Sequence, residues 1–231
     1  MITLSHPNLE TKITFDEQHP TLLICENPHE YYNFVTDMID VFDGEQSRFS
    51  FWNGSDSVKA DKIGELLLNN FSFDLADKKI LNLMYKKLGS NYMDGTFIVG
   101  FNKLNTDLGM FLSELCKTLD FATEFDCLSL ENLLKCCSVR PATRFDNLTE
   151  KIACYINLLT ELKGSVCYVF VGLKQVLTDE DLKMLYNHCR LAKVELLLLE
   201  NVKSRPLLEE ERAIIITDDL CEFTENFPNE E

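Results

Sequence analysis

The sequence predicts an α/β protein in which a mostly parallel β-sheet is accompanied by helices and interrupted by a helical insertion. Three observations lead to this prediction. Two continuous apolar runs, residues 166–171 and 194–199, flank a helical pattern, and a third run, residues 21–25, leads directly into a helix start. The 231 residues are 45% hydrophobic and 26% charged, as in ordinary globular proteins. Fibrous and wholly disordered chains are therefore excluded.

The N-terminal part begins the sheet. Residues 21–25 (TLLIC) form a predicted strand, after which Asn27 caps a helix with Pro28 at its first position. Gly44 ends that helix. Two weaker candidates for strands of the same sheet follow, at residues 48–52 and 63–68.

The middle of the chain differs in character. Residues 75–119 are mostly helical by pattern and broken near residues 89–100, which predicts a helical leg inserted into the sheet domain. Another helix, over residues 148–162, leads back into the sheet. We therefore expect a head domain from residues 1–74 and 120–224, a leg from residues 75–119, and an acidic, disordered tail from residues 225–231.

The C-terminal half completes the sheet. Residues 166–171 (VCYVFV) read as a strand covered on both faces, and Thr178 then caps a helix with Asp181 at its third position. Residues 194–199 (VELLLL) form the next strand, so strand, helix and strand make one right-handed crossover unit with parallel strands. A late strand is expected at residues 213–217.

Composition excludes several classes of protein. The longest uncharged apolar run, residues 164–173, is about half of the roughly 20 residues that a membrane-spanning helix needs. The start, MITLSHPNLE, lacks the pattern of a secretory signal, so we expect a cytoplasmic protein. The nine cysteines contain no Cys-x-x-Cys pair, which argues against zinc ribbons and redox sites. We expect them to be reduced and to serve mainly as small hydrophobic residues.

The charge is strongly negative but unevenly distributed. A net charge of −16 argues against nucleic-acid binding, because phosphate contacts require lysine or arginine. Residues 55–103, however, hold seven lysines against six carboxylates, so the remainder of the chain carries −17. Any surface for an anionic partner is therefore expected in this segment.

No catalytic pattern is present in the sequence. The turn after residues 21–25 holds Glu26 and Glu30 where a phosphate-binding loop would need glycines and a lysine, so an ATPase is excluded. Glu200 follows residues 194–199 at the position of a catalytic carboxylate, but without a phosphate loop we assign it a structural role or a cap. The four histidines and nine cysteines show no protease signature. We therefore predict that the protein is not an enzyme.

Two clusters remain as candidate sites, each with an ordinary alternative. Asp120, Glu124 and Asp126 fall within seven residues, and clustered carboxylates can bind Ca²⁺, although by spacing alone a solvated acidic turn is favoured. Four lysines fall within ten residues of the helical leg: Lys78, Lys79, Lys86 and Lys87. Such a helix face can bind a row of phosphate groups. On an ordinary helix, however, the same lysines merely keep the exposed surface hydrated.

The order of these elements resembles the Csn family of CRISPR-associated adaptation proteins of type II-A systems, in its short form. The resemblance runs through residues 57–61, 66–74, 79–88, 119–126, 169–171, 177–181 and 194–200. No one of these segments is diagnostic, but the ordered set covers most of the chain from about residue 22 to residue 220. It implies a RecA-like head, that is, a degenerate P-loop NTPase-like α/β domain whose nucleotide site is lost, with an inserted α-helical leg.

The resemblance also implies a function. Members of that family assemble as homotetrameric rings that take linear double-stranded DNA, hold Ca²⁺ near the junction of head and leg, and serve spacer acquisition beside the adaptation integrase and the RNA-guided effector nuclease. By position, Asp120, Glu124 and Asp126 become calcium ligands and Lys59 a DNA contact. Lys62, Lys78, Lys79, Lys86 and Lys87 are added as DNA contacts from charge and helix phase. The alternative is a nucleotide-free α/β scaffold whose acidic surface binds protein partners and touches no DNA.

Overall fold

The computed structural model describes residues 2–93 and 95–226, and the chain divides into two units. The larger unit combines the chain up to Phe73 with the chain from Arg144 onward, and the smaller unit is Asp74–Thr143. The smaller unit thus includes residues 120–143, which the sequence analysis assigned to the head. Of the expected tail, residues 225 and 226 belong to a β-strand, and residues 227–231 lie outside the described residues.

The described residues form ten strands and seven α-helices. The strands are β1 (Ile2–Ser5), β2 (Ile13–Thr14), β3 (Thr21–Cys25), β4 (Ser50–Asn53), β5 (Asp56–Val58), β6 (Gly64–Leu67), β7 (Cys167–Val171), β8 (Glu195–Glu200), β9 (Arg212–Ile216) and β10 (Glu222–Asn226). The helices are α1 (Pro28–Asp43), α2 (Ala60–Ile63), α3 (Lys78–Met93), α4 (Ile98–Cys116), α5 (Leu130–Cys136), α6 (Leu148–Lys163) and α7 (Asp179–Ala192). Helices α3, α4 and α5 belong to the smaller unit, and all other elements belong to the larger one.

A six-stranded sheet forms the centre of the larger unit. Its strand order is β10-β9-β3-β8-β7-β6. The strands from β9 to β6 are parallel, and β10 pairs with β9 in the antiparallel sense. This confirms the predicted α/β class with a mostly parallel sheet. Because five strands are parallel, their carboxyl ends lie along one edge, where α/β proteins usually bind ligands.

A second, four-stranded antiparallel sheet also belongs to the larger unit. Its order is β2-β1-β4-β5, with Leu4 of β1 opposite Phe51 of β4. The prediction that residues 48–52 contribute to the main sheet is wrong, whereas the candidate at residues 63–68 is confirmed as β6. The second sheet was not predicted because β1 and β2 are too short to show a clear periodicity.

The core of the larger unit joins the two sheets through α1. Phe34 and Met38 of α1 are fully buried and belong to one hydrophobic cluster with Leu4 and Phe51 of the small sheet. The same cluster includes one face of the main sheet, formed by Leu23, Cys25, Val169, Leu197, Leu199, Ile214 and Ile216. The apolar runs of the sequence are thus buried as expected, and α1 is held between the two sheets.

Two helix starts follow the sequence signals closely. At α1, the Asn27 side-chain oxygen accepts hydrogen bonds from the backbone N–H groups of His29 and Glu30. At α7, Thr178 and Asp181 form a capping box, in which each side chain accepts from the other residue's backbone N–H. Local sequence therefore determines where both helices begin.

Glu195 gives the larger unit a predicted pH dependence. Burial raises the pKa of this carboxyl group at the start of β8 to about 7, and the nearby carboxylates of Glu17 and Asp16 add to the shift. Because the folded-state pKa lies above the unfolded value, this group stabilises the protein fully only at low pH. Its contribution is lost as the pH rises from about 4.5 to about 7.

The Glu195→Gln variant should remove that loss. We expect its melting temperature to match the wild type at pH 4 and to exceed it by about 2–4 °C at pH 8, measured by circular dichroism. Glu161→Gln, which changes an exposed carboxylate of α6, should show no such pH-dependent difference. Parallel curves for wild type and Glu195→Gln across this pH range would contradict the assignment.

Candidate nucleic-acid interface

The turn between β3 and α1 occupies the place of a phosphate-binding loop. Asn27 fills the N-terminus of α1, since its side-chain oxygen takes the N–H groups of His29 and Glu30 at 3.1 and 3.0 Å. Its side-chain amide donates to the Asp218 carbonyl at 2.8 Å. The buried Glu30 carboxylate accepts from the Asn8 amide at 2.6 Å. These backbone amides, which would cradle a phosphate, are thus used by the chain itself.

A buried ionic cluster lies at the carboxyl end of β8. Glu200, which is 1% exposed, accepts a hydrogen bond from the backbone N–H of Lys174 at 2.8 Å. The Lys174 ammonium group pairs with both carboxylate oxygens of Glu211, at 2.8 and 2.6 Å, and the Tyr186 hydroxyl donates to Glu211 at 2.7 Å. Burial raises the pKa of Glu200 and of Tyr186. Glu200 thus bonds to the chain's own backbone through one carboxylate oxygen, and the structural role or cap expected for it stays a prediction.

Arg205, in the loop between β8 and β9, forms an ion pair and two hydrogen bonds with the segment around the start of α7. One guanidinium nitrogen of Arg205 pairs with Asp179 at 2.5 Å, and the other donates to the Leu177 carbonyl at 2.8 Å and to the Lys174 carbonyl. Arg205 thereby connects the segment between β8 and β9 with the start of α7. This positive charge is compensated within the chain.

The candidate DNA-binding lysines are all exposed, but they are divided between the two units. Lys78, Lys79, Lys86 and Lys87 lie on α3 of the smaller unit. Lys59 precedes α2 and Lys62 lies in it, in the larger unit. Among the described residues, none of these six lysines has an ion-pair partner.

The spacing along α3 places two of these lysines on the same side of the helix. Lys79 and Lys86 are seven residues apart, about two turns, and so project from the same side of α3. Lys78 and Lys87 are nine residues apart and lie on opposite sides. The structure therefore brings Lys79 and Lys86 onto one face, and they are free to contact an anion.

The three candidate calcium ligands lie in the connection between α4 and α5. Asp120, Glu124 and Asp126 are exposed. The end of this connection is fixed by Asn105 of α4, which both donates to and accepts from the backbone of Leu128 at 3.0 Å. Within residues 2–93 and 95–226, no group of three or more His, Cys, Asp or Glu side chains is arranged to hold a metal ion. In a single chain these carboxylates therefore do not fit a ready-made calcium site.

Helix α4 exposes a large apolar surface. It contains no buried residue among those described, and Val99, Met110 and Phe111 are 76%, 58% and 62% exposed. Leu104 and Leu115 add to this surface. Several large apolar side chains exposed on one helix indicate a surface for association.

Sequence comparison then identifies the family. The family model described as CRISPR-associated protein (Cas_Csn2) matches residues 41–220. The chain belongs to this family. This confirms the resemblance inferred from the order of the segments, and Csn2 membership implies a role in CRISPR adaptation. No curated protein matches the chain.

The Csn2 match includes every candidate site residue. The lysines of α2 and α3 and the three acidic residues all lie within residues 41–220, whereas β1, β2 and β3 precede the match. No helix in the described part of this Csn2 chain is long and apolar enough to cross a membrane. The region that relates the chain to Csn2 thus contains both candidate sites.

Sequence reasoning missed one basic residue of the smaller unit. Arg140 follows α5 and lines a groove together with Lys78 of α3. Its place depends on a contact between Tyr85 and Val139, which are far apart in the sequence. No local pattern marks such a residue, apart from its positive charge in an acidic chain.

Proposed function

We propose that this protein binds the ends of linear double-stranded DNA without sequence preference and serves spacer acquisition in a type II-A CRISPR system. The observation that carries the proposal is the free lysine face of α3 in a member of a CRISPR-associated family. The adaptation integrase and the RNA-guided effector nuclease are the proposed partners, in the cytoplasm. No base-reading element such as an arginine-rich recognition helix is part of the proposal, so binding rests on phosphate contacts.

In this proposal the larger unit is a RecA-like head that has lost nucleotide binding and has no catalytic activity. The parallel order of β9, β3, β8, β7 and β6 supports this, since ligands of such sheets bind at the carboxyl edge. Asn27 caps α1 at that edge, and Glu200 is engaged with the backbone of Lys174. Both positions are used for internal contacts.

We propose a homotetrameric ring as the active form. At −16 per chain, identical subunits repel one another unless they meet through a surface of low charge. Helix α4 offers such a surface, because Lys103, Asp107 and Glu114 are the only charged residues in its 19 positions. Its exposed apolar side chains support a second copy of this chain as the occupant. A ring also points several copies of one lysine face towards a single duplex.

Calcium is a further part of the proposal. Among the described residues of one chain, Asp120, Glu124 and Asp126 are not grouped to hold a metal ion, whereas Ca²⁺ needs six to eight oxygen ligands around it. We therefore propose that the ion binds only in the assembled ring, where a second copy adds ligands. Asp120→Asn with Glu124→Gln should remove the calcium-dependent rise in melting temperature and the calcium-dependent formation of tetramer, measured by scanning fluorimetry and analytical ultracentrifugation.

The control for calcium is Glu161→Gln with Glu209→Gln, which removes two exposed carboxylates of the larger unit. This pair should keep the full response to calcium. If a chelator leaves the wild-type tetramer and its melting temperature unchanged, calcium has no part in assembly.

The decisive experiment for DNA binding compares the same DNA duplex in its closed circular form and in its linear form. A covalently closed circular duplex should bind poorly, and the same duplex cut once should bind well in a gel mobility shift, because a ring is threaded through a free end. Raising the salt from 50 to 200 mM should weaken binding to the linear form by about a thousandfold or more if six or more phosphates are contacted.

The outcomes separate the two proposed classes of protein. Equal affinity for closed and cut DNA would falsify threading while leaving DNA binding intact. Binding to neither form at low salt would favour the scaffold alternative, for which the net charge of −16 is the supporting observation.

A further inference from the structure

A basic groove lies within the smaller unit, between α3 and the end of α5. It encloses about 560 Å³ and is lined by Lys78, Lys135 and Arg140 together with uncharged residues. None of the described residues that line it is acidic. In a chain with 38 carboxylates and 22 lysines and arginines, such a lining is unexpected.

The fold positions Arg140 by a well-defined turn. Ser138 adopts a positive φ of 50°, its N–H donates to the Lys135 carbonyl, and the Val139 N–H donates to the Leu134 carbonyl, both at 3.0 Å. The Tyr85 hydroxyl of α3 donates to the Val139 carbonyl at 3.0 Å. Val139, the residue before Arg140, is therefore hydrogen-bonded to both α5 and α3. These bonds fix the backbone position of Arg140 at the groove.

The cations of the groove are largely uncompensated. Arg140 and Lys78 are exposed, and neither has an ion-pair partner among the described residues. Lys135 pairs with Glu131 at 2.5 Å on the surface of α5. Two further carboxylates near the start of α3 are used as backbone caps, since Asp74 accepts from the Ala76 N–H and Asp77 from the Ile80 N–H.

We propose that this groove binds phosphate groups, with Arg140 as the principal contact and Lys78 as the second. A guanidinium group matches two phosphate oxygens at once, which a lysine cannot do. The Ser138 hydroxyl and the Asn82 amide line the same groove and supply neutral donors. This inference rests on the proposed function in one respect: in the DNA complex, the phosphates are those of the duplex backbone.

The test compares a variant that should weaken DNA binding with a variant that should strengthen it. Arg140→Gln should weaken binding of a linear duplex by about fivefold, the scale of one exposed ion pair, and should lower the salt slope by about one for each phosphate that the variant no longer binds. Glu131→Gln releases Lys135 and should strengthen binding by a similar factor. Lys183→Gln is the matched control, because it removes one exposed positive charge from α7, which belongs neither to the groove nor to the α4 surface proposed for assembly. It should leave the affinity nearly unchanged.

A second measurement makes the result independent of DNA binding. Inorganic pyrophosphate is titrated against wild type and Arg140→Gln, with calorimetry as the readout. Heat of binding in the wild type that Arg140→Gln abolishes supports the groove, and identical titrations overturn it.

The two proposals can then fail separately. If wild type binds DNA and Arg140→Gln binds it equally well, or if Lys183→Gln weakens it as much as Arg140→Gln does, the groove is not the contact and the proposed function stands. If wild type binds no DNA, the proposed function fails and the pyrophosphate titration alone decides whether the groove binds phosphate.

Discussion

Lys174→Met is expected to destabilise the larger unit by about 3–5 kcal/mol, because it leaves a buried carboxylate without its ammonium partner. The side chains of Lys174 and Glu211 are 5% and 0% exposed, so water cannot replace the missing partner. For a chain of this size such a loss of stability corresponds to a fall of about 10 °C or more in melting temperature. Thermal unfolding followed by circular dichroism measures it directly.

A second change should restore part of this stability. In Lys174→Met with Glu211→Gln the pair carries no charge and the glutamine oxygen still accepts from the Tyr186 hydroxyl, but the Leu208 N–H loses the carboxylate oxygen that accepts from it. The control is Lys203→Met, which breaks a partly exposed pair with Glu225 and should cost less than about 1 kcal/mol. A melting temperature of Lys174→Met within about 2 °C of the wild type, the shift that 1 kcal/mol produces, would show that the buried pair contributes little.

Lys79→Glu with Lys86→Glu is expected to abolish DNA binding and leave assembly intact. Both lysines are exposed on one face of α3, so reversing their charge makes that face repel phosphate without disturbing a core contact. Because the affinity depends on counterions released by such cations, we expect a loss of about a hundredfold or more in a ring of several copies. Mobility shift and sedimentation measure the two properties separately.

The control for net charge is Lys12→Glu with Lys183→Glu, two exposed lysines of the larger unit. It changes the total charge by the same amount. If this control abolishes binding as fully as the α3 variant, total charge rather than the lysine face is responsible, and intact binding in the α3 variant would place the contact elsewhere.

The parts of the fold that the sequence predicts are those encoded locally. The capping box of Thr178 and Asp181 and the apolar strands on either side of α7 are continuous in the sequence, so the crossover unit could be recognised. The lysines of α3 were likewise placed on one helix by their spacing. Their role in DNA binding stays a prediction.

The missed parts depend on distant contacts. The small sheet requires β1 to pair with β4 nearly fifty residues later, as in the pairing of Leu4 with Phe51. The extent of the smaller unit beyond residue 119 depends on α5, which is too short for a periodic signal. Arg140 is positioned at its groove by the turn after α5 and by the bond from Tyr85 to Val139. Such pairings are decided by tertiary packing.

At the start of α1, the Asn27 side chain competes with any free anion for the backbone N–H groups of His29 and Glu30. A free anion arriving there must displace an oxygen that is covalently attached one residue before the helix and therefore present at a very high effective concentration. Displacement would also release the Asn27 amide from the Asp218 carbonyl. We therefore expect cellular nucleotides, even at millimolar levels, to compete poorly against such an intramolecular group. If the proposed function is right, the start of α1 does not respond to the cellular concentration of ATP.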